Sequence, residues 1–379
     1  MKTMSRSQYL FRSLIFFLLV FSITVSISAQ LNSRQEIRIP DIPGYLTLKC
    51  DLHMHTVFSD GLVWPTVRAD EAWREGLDVL AVTEHIEYHP FKDDIPVNFS
   101  RAYDLVKQRA DIYGLLTISG AEITRDMPPG HFNCLFLTNV AALDKEDFWE
   151  AINAAADQGA FIVWNHPGWQ QPGIIPVWYD EHTKLYESKL MHGMEIVNTD
   201  EYYPLAYQWC IEKKITILGN SDIHSPILMD YDLRQGKHRP MTLVFAKERT
   251  LEAVRDALID GRTAVYNEDK ILGEEKYLKP VFERSVELWV NPETIKYGKS
   301  HFIYIRNNSQ VPYKLVANGE LETYSFPAEI VLHAERTVIL LLRNKSGAGL
   351  EPVRLPYLVS NLLIAPETGM PVELKITPR

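Results

Sequence analysis

Very little in this 379-residue sequence supports a disulfide framework or a thiolate metal site. Its three cysteines, Cys50, Cys134 and Cys210, are odd in number, form no CxxC pair and lie in or beside apolar runs, so they read as small buried hydrophobes. Positive charge is also short: 39 Lys and Arg face 49 Asp and Glu, for a net charge of −10. Without a basic stripe to release counterions, long nucleic acid is not an expected partner. A small anion drawn to a local metal charge remains compatible with that balance. Internal repeats and low-complexity segments are absent as well.

No apolar run reaches the ~20 residues needed to span a bilayer. The apolar stretch at residues 14–27 follows Lys2, Arg6 and Arg12 and precedes Ser28 and Ala29, the layout of a secretory signal peptide. Residues 1–29 are therefore set apart as a cleaved signal, and losing their three positive charges takes the chain to −13. With no cysteine near the cleavage region, lipid attachment there is not expected. The expected location is periplasmic or secreted, with no stable membrane span after cleavage.

What is present is alternation. From residue 45 to 272, short apolar strands alternate with amphipathic stretches, which argues for a mainly parallel α/β fold. Strands are expected at YLTLKC (45–50), LDVLAVT (77–83), LLTISGAE (115–122), FNCLFLT (132–138), AFIVWN (160–165), GMEIVN (193–198), ITILGNS (215–221) and MTLVFA (241–246). Helices are expected over 64–76, 144–159 and 251–261. After Pro280 the texture changes to strands without helices (VELWV, HFIYIRN, YKLVANG, EIVLHAERTVILLLRN, PVELKIT), which fits a small all-β sandwich over 280–379. The polar, proline-ended GEEKYLKP places a boundary near 273–282.

Potential metal ligands recur at the strand ends. The first strand runs into Asp51-Leu-His53-Met-His55 with Asp60 beyond it, the second into Glu84-His85 and the third into Glu122. The fifth runs into Asn165-His166 and the seventh into Asp222-Ile-His224. His131 precedes the fourth strand, so either that strand runs antiparallel or its boundary lies elsewhere. Groups at the C-terminal ends of parallel strands converge on one mouth, which makes one site of scattered residues. Six of the twelve histidines belong to the set.

Imidazoles and carboxylates without thiolates suit zinc, manganese or iron. Nine ligands exceed the needs of one ion, so two or three divalent metal ions are expected, with Glu122 or Asp222 able to bridge a pair. Such a centre supports hydrolysis by a metal-bridging hydroxide while the ions hold phosphoryl oxygens.

In these motifs the sequence resembles the PHP (polymerase and histidinol phosphatase) metal-dependent phosphoesterases. DLHMHTVFSDG, AVTEH, GAEI, WNHP and NSDIH match that family's motifs in order over residues 45–266. The resemblance implies a distorted (βα)7 barrel with a trinuclear centre. It implies one metal on His53 and His55 with Glu122 and Asp222 bridging or adjoining, a second on His131 and His166, and a third on Asp60, His85 and His224. Asp60 stands where some members carry histidine. The exported two-domain layout is similar to secreted bacterial PHP-type phosphodiesterases.

The expected activity is hydrolysis of a small-molecule phosphate ester, a phosphodiester before a monoester. His55 and Asp222 are expected at the reacting centre, and Arg125 and Arg239, the latter beside His238, are expected to contact the phosphate. Trp169 and Tyr88 follow ligand motifs and are candidates for a pocket wall, and His89 for protonating a leaving group. Two alternatives are a metal-dependent hydrolase of a carbon-centred ester, amide or carbamate, and a non-catalytic surface binding protein carried by the sandwich. The sandwich itself is expected to be a structural appendage packed on the barrel or presenting it to partners.

Overall fold

The structure, a computed structural model, describes residues 33–232, 235–290, 300–345 and 350–377. The expected signal peptide lies outside the described residues. Among those described, no helix is long and apolar enough to cross a membrane.

The first part of the chain is a barrel. Its strands are β1 (Leu46–Asp51), β2 (Val79–Val82), β3 (Leu116–Ile123), β4 (Phe132–Leu135), β5 (Phe161–Trp164), β6 (Gly193–Asn198), the two-residue β7 (Glu201–Tyr202), β8 (Thr216–Asn220), β9 (Met241–Ala246), β10 (Thr263–Asn267) and β11 (Lys270–Gly273). β2, β4, β5, β6 and β8 are buried on both faces, which explains their unbroken apolar sequences.

Helices cover the outside: α1 (Pro65–Arg74), α2 (Arg101–Tyr113), α3 (Phe148–Ala156), α4 (Asp180–Glu187), α5 (Pro204–Lys213), the single turn α6 (Ile227–Asp230) and α7 (Leu251–Ile259). Local chemistry starts several of them. α1 and α5 have proline in the first turn, where its missing N–H costs nothing. Asp147 and Thr250 accept the orphan N–H groups of Glu150 and Ala253 at the starts of α3 and α7.

β1, β2 and β3 run parallel, as do β5, β6 and β8, while β4 is antiparallel to both its neighbours. That reversal settles the placement of His131: the start of β4 lies at the same mouth as the ends of the parallel strands. The seam between β8 and the β9–β10 pair closes through side chains. Gly219 donates its N–H to Thr242 Oγ1 at 3.0 Å, and Thr263 donates to the Ile217 carbonyl at 2.8 Å. A Cβ at Gly219 would stand 2.2 Å from Val265, so only glycine lets β10 pack this closely. At the mouth the chain beyond β1 and β8 pairs directly, Asp222 N–H to the His53 carbonyl at 2.9 Å and His55 N–H to the Ile223 carbonyl at 3.1 Å.

The segment near 273–282 where the boundary is expected lies, from Glu275 on, in helix α8 (Glu275–Ser285), with Pro280 inside it. Its buried stripe, Tyr277, Leu278, Val281, Phe282 and Ser285, follows helical spacing, and tertiary burial outweighs the proline. The sandwich follows: β12 (Val286–Val290), β13 (Ser300–Asn307), β14 (Tyr313–Ala317), β15 (Tyr324–Ser325), β16 (Glu329–Leu332), β17 (Thr337–Asn344), β18 (Val353–Ala365) and β19 (Thr368–Ile376). One sheet orders β12-β13-β17-β15 and the other contains β16, β14, β18 and β19.

The second sheet is continuous with the barrel, because β18 pairs in parallel with β11 at Ile271↔Leu362 and Leu272↔Leu363. Tyr266, Leu278 and Phe282 share one apolar core with Ile303, Leu315 and Leu340 of the sandwich.

Candidate metal centre

The nine sequence-derived ligands meet at the barrel mouth. His53 and His55 flank buried Met54, and the strand alternation turns both imidazoles inward. Their Nε2 atoms lie 3.2 and 3.1 Å from Asp222 Oδ1 and 3.5 and 3.4 Å from Glu122 Oε2. His131 Nδ1 and His166 Nε2 lie 3.1 and 3.4 Å from the other Glu122 oxygen. Asp60 Oδ1 lies 3.4 Å from His85 Nε2 and 3.1 Å from His224 Nε2.

Ligand atoms within 4.8 Å of one another form four overlapping groups. These are His55, Asp60, His85 and His224; His53, Glu122 and His166; His53, His55 and Asp222; and His85, Glu122 and His131. Glu122 has a place in two groups, which is where a bridging carboxylate belongs.

The loop from Thr56 to Asp60 is held by Glu84, which accepts the Thr56 N–H at 3.1 Å and both the Thr56 and Ser59 hydroxyls. A Cβ at Gly61 would come within 2.6 Å of the His55 and Thr56 backbone, so glycine is required to turn Asp60 inward. Two ligands hold left-handed backbone, His166 at φ +26° and Asp222 at φ +51°. Their own N–H groups are tied down, His166 to Glu195 at 2.8 Å and Asp222 to the His53 carbonyl. Such conformations persist where surrounding bonds enforce them, and they concentrate at functional sites.

The donor set fits divalent metal. Asp60 Oδ1, Glu122 Oε2, Asp222 Oδ1, His131 Nε2 and His166 Nδ1 are buried yet make no hydrogen bond. An unsatisfied buried polar atom costs about 1–3 kcal/mol, and the three carboxylate oxygens among these, gathered at one place, are where a cation would serve as partner. Burial would raise the Asp222 carboxyl, but His53, His55 and His166 outweigh it and hold it well below the usual carboxylate range. Glu122 and Asp60 are lowered against burial in the same way, by His85 and His53 for the one and by His224 and His85 for the other. Burial followed by His85 and His224 pushes His55 down to about 3, the neutral form a metal needs. Against burial, Glu122 and Asp60 raise His85 to about 10. The imidazoles of His53, His85 and His224 supply the positive charge that holds these carboxyls down, a place that a bound cation would take.

Sequence reasoning missed Glu195, which sits inside β6 rather than at a strand end. It is fully buried and accepts from His53 Nδ1 at 2.9 Å, His166 N–H at 2.8 Å, Asn198 Nδ2 at 2.8 Å and Asn220 Nδ2 at 2.9 Å. By accepting the Nδ1–H hydrogen bond it leaves His53 Nε2 free to ligate. Its signal was a lone charge in the otherwise uncharged GMEIVN. Likewise His224 Nδ1 donates to the Asp222 carbonyl at 2.7 Å, turning its Nε2 toward Asp60.

The arginines expected at the phosphate do not reach the centre. Arg239 is fully buried and paired with Asp51 at 2.7 Å and Glu75 at 2.8 Å, so its guanidinium is consumed in holding β1 to the segment after α1. Arg125 is engaged by Glu87 and by the Thr124 and Lys145 carbonyls, and lines a separate cavity with Ile86 and Phe99. His238 bonds the Arg239 and Glu268 carbonyls, and His89 bonds the Phe58 and Ile86 carbonyls. Trp169 does wall the metal cavity, its ring 4.3 Å from that of His131, while Tyr88 touches His85 only edge-on at 6.1 Å. Cys50, Cys134 and Cys210 are buried and belong to none of the four groups.

The cavity over the centre measures about 360 Å³. Beyond the ligands it is lined by Trp169, Asn198, Thr199, Asp200 and Glu201.

Residues 288–375 match the model of an Ig-like domain. A two-domain protein from Bacteroides vulgatus, containing a predicted PHP-like metal-dependent phosphoesterase, is 42% identical. It superposes with a TM-score of 0.85 over 90% of this chain and 98% of that one. A Bifidobacterium adolescentis protein assigned as a metal-dependent phosphoesterase is a remote likeness, with 16% identity over 46% of this chain and 87% of that one, and a TM-score of 0.36. An amidohydrolase from Chromobacterium violaceum is equally remote, with 14% identity over 47% and 88% and a TM-score of 0.34. No curated protein matches the sequence.

Proposed function

This chain belongs to the PHP-like metal-dependent phosphoesterases, and from that premise we propose that it hydrolyses a small phosphodiester in preference to a monoester. The carrying observation is the charge of the cavity wall. Outside the ligand set its charged residues are Asp200 and Glu201, and among the described residues no lysine or arginine lines it. A monoester near neutral pH carries close to two negative charges and a diester one. Across ~8 Å at an effective dielectric of about 20, each extra like-charge pair costs about 2 kcal/mol, less where solvent screens an exposed group such as Asp200. Taken by itself, the wall therefore penalises the second negative charge of a monoester.

In this reading His53, His55, Asp60, His85, Glu122, His131, His166, Asp222 and His224 hold two or three divalent ions. The all-nitrogen-and-oxygen donor set suits zinc, manganese or iron. Bound there, the ions supply a water-derived nucleophile at neutral pH and neutralise the phosphoryl oxygens. The chain's own part is orientation. Glu195 fixes the tautomer of His53, and Glu84 fixes the loop that carries Asp60. Trp169 and the turn at 198–201 enclose a volume suited to a small organic group.

The test is kcat/KM of the metal-loaded protein on bis(p-nitrophenyl) phosphate, p-nitrophenyl phosphate and p-nitrophenyl acetate. Preference for the diester is expected, and preference for the monoester would overturn the reading. The missing arginines favour a second reading, a carbon-centred ester hydrolase, for which acetate would be the sole good substrate. Export is part of the proposal, supported by the basic and apolar N-terminal pattern. Protein recovered outside the cytoplasm should begin at Gln30, and full-length cytoplasmic protein would contradict it.

A further inference from the structure

The sandwich reaches the catalytic end of the barrel through the tip of its longest hairpin. β18 and β19 are joined at Pro366 and Glu367, and the Tyr202 hydroxyl donates to the Pro366 carbonyl at 2.9 Å. The Tyr202 phenol is pushed up by burial and then by the Glu367 carboxylate, a second sign that the tip lies against it. Just behind, Tyr207 donates to the Leu363 carbonyl at 3.0 Å, and Leu363 is buried with Tyr203 and Tyr207.

Tyr202 belongs to β7, an edge strand of two residues paired only with β6, at Val197↔Tyr202 and Asn198↔Glu201. So short a hairpin has little stability of its own, and what touches it fixes its position. Its turn, Asn198 to Glu201, is the part of the cavity wall that carries the two acids outside the ligand set. The inner side of the turn is tied to the barrel by Asn198 Nδ2 to Glu195 and by Thr199 N–H to the Asn220 carbonyl at 3.2 Å. The outer side is tied to the sandwich through Tyr202.

We propose that the tip of the Ig-like sandwich is a positioning element for the substrate wall, with Tyr202 as its contact, so that the sandwich sets how well an ester fits the cavity. This rests on the reading that the cavity over the metal ligands binds the ester. Tyr202 touches no ligand in this account and acts through the turn.

Tyr202→Phe, made in the full chain, removes the hydrogen bond, while Pro366→Gly keeps the accepting carbonyl and tests the stiffness of the tip that presents it. Tyr202→Phe should raise KM for bis(p-nitrophenyl) phosphate about threefold to tenfold, the scale of one lost hydrogen bond, and Pro366→Gly should raise it by less, each with kcat within twofold and metal content unchanged. Wild-type KM in both variants overturns the proposal. So does a joint fall of kcat, metal content and thermal midpoint, which would mark a purely structural contact. Hydrogen exchange over residues 198–203 reads the same contact without a substrate. Faster exchange there in Tyr202→Phe is expected, and unchanged exchange overturns the proposal even if the wild type proves inactive on the diester, a result that would by itself count only against the phosphodiester reading.

Discussion

Glu195 receives four hydrogen bonds, two of them from candidate metal ligands, His53 and His166. Glu195→Gln keeps the shape but removes the charge that orients His53. It should lower metal affinity about 10–100-fold while the chain stays folded, as read by metal retained in dialysis against buffered zinc. Undiminished retention would remove Glu195 from the centre. Arg239→Ala tests the opposite kind of residue. It leaves Asp51 and Glu75 buried without a counter-charge, and a broken buried pair costs about 3–5 kcal/mol, so denaturant unfolding should show a large loss of stability. A stable variant with weakened phosphate binding would restore the role that the sequence suggested.

The contrast explains what was legible at this scale. The ligands stand in short motifs at strand ends, where convergence follows from the fold class alone. Arg239 meets partners 188 and 164 residues away, and nothing local in GKHRPMTLVFA announces them. Glu195 was hidden for the same reason, since inside a strand only the register shows which way a side chain points.

At the scale of elements, the buried strands were readable because burial on both faces leaves continuous apolar runs. The antiparallel β4 was foreshadowed by one out-of-place ligand, His131. The β10–β11 hairpin and α8 were not readable: α8 looks polar and contains proline, and only its burial between barrel and sandwich makes it a helix. This changes what truncation should do. Deleting residues 280–379 cuts α8 at its proline, strips β18 from β11 and exposes the shared core. The product should be insoluble or molten, with lost near-ultraviolet circular dichroism. A soluble, metal-loaded barrel would show instead that the sandwich is a dispensable appendage.

At the scale of the whole molecule, one sheet runs from the barrel into the sandwich, and the same chain segments that build the metal mouth also receive the hairpin tip. The mouth concentrates three carboxylates and six histidines in a chain already negative overall, a donor set that favours divalent cations. That donor set is the physical core of the account. It is tested most directly by elemental analysis of protein purified without chelators, with diester turnover measured before and after chelation. The account predicts two or three divalent ions per chain, loss of turnover when they are removed, and its return with Zn²⁺ or Mn²⁺. A chain that takes up neither ion, or that hydrolyses the diester equally well after complete metal removal, would contradict it.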